Sequence, residues 1–273
     1  MNARLVTEGV TIRGEARHRP AFEWLARVGL VARGVSYGII GVLALKLAVG
    51  SGGKTTDQEG ALKTIAHQSF GKALLIAMAI GLACYAAWRL LRAAIGHGTE
   101  QEDSTLDRIS GVSAGIGYAA LAFTAVKIVA GAGGGSSSPK QTAGGVLDWP
   151  AGRVIVAVVG AILIGEAVYE AYKGVSRKFL EDSKTEEMSP AVKRGFTAIG
   201  VFGHLARTVV FGLIGYGVIK AAIDYDPSNA IGLDGALSKL ANYSYGPFLL
   251  GVVAAGFIGF ALYSIADARY RRV

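Results

Sequence analysis

The stretch "ARGVSYGIIGVLALKLAVG", residues 32–50, is apolar enough for a lipid bilayer, yet it carries Arg33 near its start and Lys46 near its end. Laid over "SAGIGYAALAFTAVKIVAG" (113–131), a shift of 81, it matches Gly34 with Gly115, Tyr37 with Tyr118 and Lys46 with Lys127. A further shift of 93 brings "ARTVVFGLIGYGVIKAAI" (206–223) onto the same frame, matching Arg33 with Arg207, Tyr37 with Phe211 and Lys46 with Lys220. The stretch is one copy of three, so the rest of the chain is read as an internal repeat.

The segments that follow each copy agree. "GKALLIAMAIGLACYAAW" (71–88), "GRVIVAVVGAILIGEAVY" (152–169) and "GPFLLGVVAAGFIGFALY" (246–263) all open with Gly and close with an aromatic residue. With the first set they give six apolar windows, near 26–49, 73–94, 109–130, 154–172, 197–222 and 247–266. A helix needs ~20 residues to cross ~30 Å of hydrocarbon. Over 273 residues, 52% are hydrophobic and only 18% charged, below the ~25% charged of soluble domains, and the mean hydropathy is +0.42. The windows do not alternate in polarity as barrel strands do. The predicted fold is therefore an all-α integral membrane protein: six transmembrane helices as three tandem helical hairpins with pseudo-threefold symmetry. The repeats are expected at 24–97, 106–178 and 197–270, after an N-terminal segment 1–23 too charged to be the apolar core of a cleaved signal peptide.

Between the two spans of a repeat, "DQEGALKTIAHQSFG" (57–71) resembles "GLDGALSKLANYSYG" (232–246), each read as a short amphipathic helix on the outer face. The middle counterpart, "GAGGGSSSPKQTAGG" (131–145), reads as a flexible loop. The triplicated two-span unit, its "LARVGLVARGVSYGIIGVLAL" opening and its "GAL" outer loop resemble the bacterial membrane family known as domain of unknown function 1206. That resemblance implies a six-helix membrane protein with three tandem repeats and brings no activity, substrate or catalytic residue. The middle copy departs from the pattern, with Ala114 in place of the repeat arginine and the "GAL" loop lost.

Segments on the side of the termini hold sixteen Lys and Arg residues and the alternate segments six. By the positive-inside rule both termini are cytoplasmic, in a bacterial cytoplasmic (inner) membrane. The net charge of +8 is then a topology signal and an attraction to anionic lipid, not a reason to expect nucleic-acid binding. The lone Cys84 excludes an intramolecular disulfide. The four histidines have no zinc or haem ligand spacing. No metal, cofactor or catalytic residue is predicted, and no enzymatic role.

Six basic residues remain inside the spans. Lys46, Lys127 and Lys220 fall within about one turn of the outer end, where a four-carbon stem can carry the ammonium to the headgroups. They fit either outward-facing anchors or a ring of positive charge on the axis, and spacing does not choose between these. Arg33 and Arg207 lie 13 residues before their lysines, about 20 Å deeper, where a charge needs a partner or water. Glu166 in the middle repeat, at the position held by Tyr85 and Phe260 in the others, reaches comparable depth. The expected site is a cluster of Arg33, Glu166 and Arg207, with Glu170 one turn nearer the cytoplasm and His204 as a neighbour. It serves either as a register-fixing salt bridge or as a proton or cation site. The expected function is a structural or accessory membrane protein binding lipid or another membrane protein. The alternative is a small channel or transporter using the Arg/Glu cluster, although the Gly/Pro-broken helices typical of transporters are missing.

Overall fold

The computed structural model describes residues 20–51, 55–95, 105–131 and 138–272, so residues 1–19 of the expected N-terminal segment lie outside them. Among these the chain is helical: α1 (Pro20–Ala48), α2 (Gln58–Ala66), α3 (Gly71–Ile95), α4 (Thr105–Val129), α5 (Pro139–Leu147), α6 (Gly152–Ser176), α7 (Pro190–Asp224), α8 (Leu233–Ala241) and α9 (Gly246–Tyr270). Six of them, α1, α3, α4, α6, α7 and α9, are long and apolar enough to cross a membrane. α7 starts at Pro190, earlier than the apolar window at 197, because Ser189 caps it and Pro190 is preset for its first turn.

Each first helix ends at or beside a residue of positive φ, namely Gly50, Gly131 and Tyr225, a few residues past the repeat lysine. A left-handed residue at this point stops the helix and turns the chain. A nine-residue helix follows in every repeat: α2, α5 and α8. The middle one corrects the expectation of a flexible loop over 131–145. Ser138 and Gln141 form a reciprocal capping box around Pro139 at the first helical position, which starts a helix despite the glycine-rich run before it. Gly71, Gly152 and Gly246 open the second helices because a Cβ at any of them would strike the backbone of the preceding short helix.

The spans form a ring in the order α1, α3, α4, α6, α7, α9. The most extensive contacts join the second helix of one repeat to the first of the next: α3 with α4, α6 with α7, and α9 with α1. Within repeats, α1 packs on α3 and α7 on α9, whereas α4 and α6 make almost no contact among the described residues. A triplet of equivalent positions explains this. A Cβ on Gly29 would sit 2.6 Å from the Tyr85 Cα, and one on Gly203 would sit 2.8 Å from the Phe260 Cα, so these hairpins close only because glycine is there. The middle repeat has Ser110 at that position and Glu166 opposite, joined through the serine hydroxyl at 3.4 Å. With a side chain where the other repeats have glycine, the middle hairpin cannot close to the same backbone contact.

This predicts that Gly203→Val destabilises the fold by about 1–3 kcal/mol, the cost of overpacking. Gly165→Val, at a glycine with open space around it, is expected to leave stability almost unchanged. Thermal unfolding in one detergent compares the two, and equal shifts would remove the explanation.

Candidate functional site

On the side where α3 passes to α4 and α6 passes to α7, called here the connector side, the ring encloses a polar cavity of about 50 Å³. The repeat frame places its walls. Arg33, Ala114 and Arg207, equivalent positions on the first helices, all border it, as do Tyr85 and Glu166 on second helices. Their third equivalent, Phe260, packs its ring 4.9 Å from the Arg33 Cζ and 4.6 Å from the Arg207 Cζ. One turn toward the connectors the second helices carry Arg89, Glu170 and Ser264, which are neighbours of the first set because residues four apart share a helix face.

Glu170, buried, forms an ion pair with Arg207, its Oε1 2.7 Å from Nη1, and His204 Nδ1 lies 2.5 Å from its other oxygen. Arg207 and His204 are both on α7, so this group ties the middle repeat to the third. Arg33 has no carboxylate partner among the described residues. Its Nη1 donates to the Tyr85 hydroxyl at 2.7 Å and its Nε to the Ser264 hydroxyl at 3.2 Å. Arg89 donates to the carbonyl and hydroxyl oxygens of Ser110 at 2.9 and 3.3 Å.

The five residues expected to cluster, Arg33, Glu166, Glu170, His204 and Arg207, thus share one cavity, but the pairing differs from the expectation. Glu170, not Glu166, is the carboxylate of Arg207, and Arg33 is held by hydroxyls and aromatic faces. Depth arithmetic along a helix places both glutamates within one turn of the arginines and cannot separate them.

Aromatic rings lie across the ring axis next to the cavity. Tyr37, Tyr118 and Phe211 lie one turn beyond the Arg33, Ala114 and Arg207 positions, away from the connectors. Tyr37 and Phe211 cover the Arg207 guanidinium at 5.6 and 5.2 Å, while Tyr118 meets Tyr85 edge-on at 4.6 Å. On the other side the floor is the connector after α6, which sequence reasoning left without structure. Arg177, left-handed, ends α6, and Phe179, 1% exposed, turns inward against His204 at 5.1 Å and Tyr263 at 5.3 Å.

Asp182 then bridges Arg92 at 2.7 Å and Arg271 at 3.2 Å, and both guanidinium groups lie over the Trp88 ring. The Ser183 hydroxyl donates to Asp267 at 2.8 Å. The Lys184 amide donates to the Tyr270 carbonyl, and the Arg272 amide to that of Asp182. Burial alone would raise the Asp182 carboxyl, but the charges of Arg271 and Arg92 outweigh it and hold the group well below the usual carboxylate range. A single phenylalanine inside the charged run "RKFLEDSKTEE" (177–187) was the signal that could have shown this segment to be folded.

The repeat lysines do not border the cavity. Lys46 and Lys220 are exposed and Lys127 partly so, its ammonium 6.0 Å from the Phe123 ring of its own helix. Lys220 stays near Asp224, at 4.0 Å. Among the described residues, no group of three or more His, Cys, Asp and Glu side chains is placed to hold a metal ion.

Six apolar helices in three repeated hairpins around a polar interior define an all-helical, multi-pass membrane protein. The chain belongs to the family described as Domain of Unknown Function (DUF1206), which matches residues 28–96, 109–177 and 202–271, one match to each hairpin. It is similar to the uncharacterized protein YxxB of Bacillus subtilis (strain 168), with 32% identity over 258 residues that cover 93% of each chain. No solved structure matches the chain.

Proposed function

We propose that the protein is a non-enzymatic accessory membrane protein that holds a membrane component, a lipid or part of another membrane protein, and does not conduct a solute. The observation that carries this reading is the shape of the chamber: aromatic rings roof it, the 177–189 connector floors it, and its one unpacked side lies between α4 and α6. A chamber with aromatic rings across one end along the membrane normal, and unpacked toward the bilayer, suits binding better than passage. The bias of basic residues supports connectors facing the cytoplasm of a bacterial inner membrane. The alternative, a small channel or transporter, draws support from the buried Arg207, Glu170 and His204 group, since ionisable residues at such depth also mark ion pathways.

Purified protein in liposomes, given an imposed pH gradient or an anion gradient, separates the two readings. No flux above that of protein-free liposomes is expected. Flux that disappears in Glu166→Gln would replace the accessory reading with the transport one.

A further inference from the structure

We propose that the chamber binds a phosphate-type oxyanion group, admitted from the side between α4 and α6. This rests on the reading of the chamber as a binding site. Five bases border it, Arg33, Arg89, Lys173, Arg207 and Arg271, against three acids, Glu166, Glu170 and Asp182. With His204 counted neutral the wall carries an excess of two positive charges. Two of the acids are already committed, Glu170 to Arg207 and His204 and Asp182 to Arg92 and Arg271, while the excess of two already counts Glu166, bonded only to Ser110 at 3.4 Å among the described residues, as charged. Among the described residues Arg33, Arg89 and Lys173 have no carboxylate within 4.0 Å. The Lys173 ammonium lies over the face of the Tyr169 ring, at 4.7 Å. Charge excess in a low-dielectric interior is costly and calls for a counter-charge.

Donor capacity points the same way. The Nε atoms of Arg89, Arg207 and Arg271 are buried and have no hydrogen-bond partner among the described residues. A phosphate group offers acceptor oxygens in several directions and matches forked guanidinium donors. The cavity, at about 50 Å³, admits a small oxyanion and not a large organic ligand. The lateral route is set by the repeat itself. Ser110 stands where Gly29 and Gly203 let the other hairpins close against the opposing backbone, and Ser110, Ala114, Glu166 and Lys173 border the chamber beside that opening. The same chemistry is carried by a phospholipid headgroup and by free inorganic phosphate.

The test uses the full chain in nanodiscs, with Arg89→Gln/Lys173→Gln as the charge variant and Ala114→Phe as a variant that fills the chamber while leaving its charges. In nanodiscs of mixed phosphatidylglycerol and phosphatidylcholine, native mass spectrometry reads the lipid retained. In nanodiscs of phosphatidylcholine alone, calorimetric titration reads inorganic phosphate. A lipid source gives retained phosphatidylglycerol without phosphate binding, and a free-phosphate source gives the reverse. In either case affinity is expected to fall at least tenfold in both variants and to be unchanged in Lys46→Gln. Gel filtration identifies variants that fail to fold, and Ala114→Phe then carries the test. No binding of either probe, or binding indifferent to the folded variants, overturns the proposal. Solute flux in liposomes with phosphate binding intact would remove the accessory reading alone.

Discussion

Glu170→Ala is expected to destabilise the protein by about 3–5 kcal/mol, the cost of removing one partner from a buried ion pair. The Glu170 side chain is 5% exposed and is the only carboxylate within 4.0 Å of Arg207 among the described residues. Its loss leaves a guanidinium in the interior with aromatic faces for company, and removes the group against which His204 Nδ1 is placed. Glu166→Ala is expected to cost under about 1 kcal/mol, because Glu166 is partly exposed on the open side and has one weak hydrogen bond, from Ser110 at 3.4 Å. Unfolding in mixed micelles with increasing SDS compares the two. The double variant Glu170→Ala/Arg207→Met is expected to recover part of the loss, since replacing both members of a buried pair is cheaper than stranding one. Equal effects of the two glutamates would mean that the pairing described is wrong.

Asp182→Asn is expected to release the connector floor while leaving the ring intact. Asp182 joins α3, through Arg92, to the end of α9, through Arg271, and charge-assisted hydrogen bonds of this kind contribute about 2 kcal/mol. In a Cys84→Ala background, a cysteine at the fully buried Ser183 reports the opening. Its labelling by a membrane-impermeant maleimide is expected to rise about 30-fold in the Asp182→Asn variant. The pH dependence has a definite sign. A carboxyl held below its unfolded value of about 3.9 stabilises the floor above that value, and this contribution is lost as pH falls toward the folded value. Hydrogen exchange at 178–184, corrected for intrinsic rate, should therefore be flat from about pH 8 to 5 and increase only below about 4. An increase between pH 5 and 7 would assign the floor to another group.

The six spans, their pairing into three hairpins and the threefold repeat were legible in the sequence because apolar length and the 81- and 93-residue shifts are strong periodic signals. Five residues of the chamber, though not Arg89, Lys173, Asp182 or Arg271, were legible for a related reason. Charges are costly in an apolar span, so Arg33, Glu166, Glu170 and Arg207 stand out, and the repeat frame puts them on equivalent helix faces. Their partners were not, since glutamates four residues apart differ by one turn, and choosing between them needs the relative slide of α6 and α7. The helix over Pro139–Leu147 was missed because its glycine-rich approach masked the Ser138, Pro139 and Gln141 start signal. The connector floor has no period at all. Its fold depends on Phe179 and Asp182 meeting residues from α3, α7 and α9, far away in the sequence. The open middle hairpin could have been read from the triplet Gly29, Ser110 and Gly203, but only once the glycines were known to touch the opposing backbone.

The most direct measurement is a cryo-EM map of the full chain in nanodiscs containing phosphatidylglycerol, inspected between α4 and α6. The expected map shows these helices apart beside Ser110 and Glu166, with the chamber open to the bilayer there and closed by Tyr37, Tyr118 and Phe211 on one side and Phe179 on the other. A map with α4 packed along α6 as α1 packs on α3, or with a continuous passage through the aromatic roof, would contradict it.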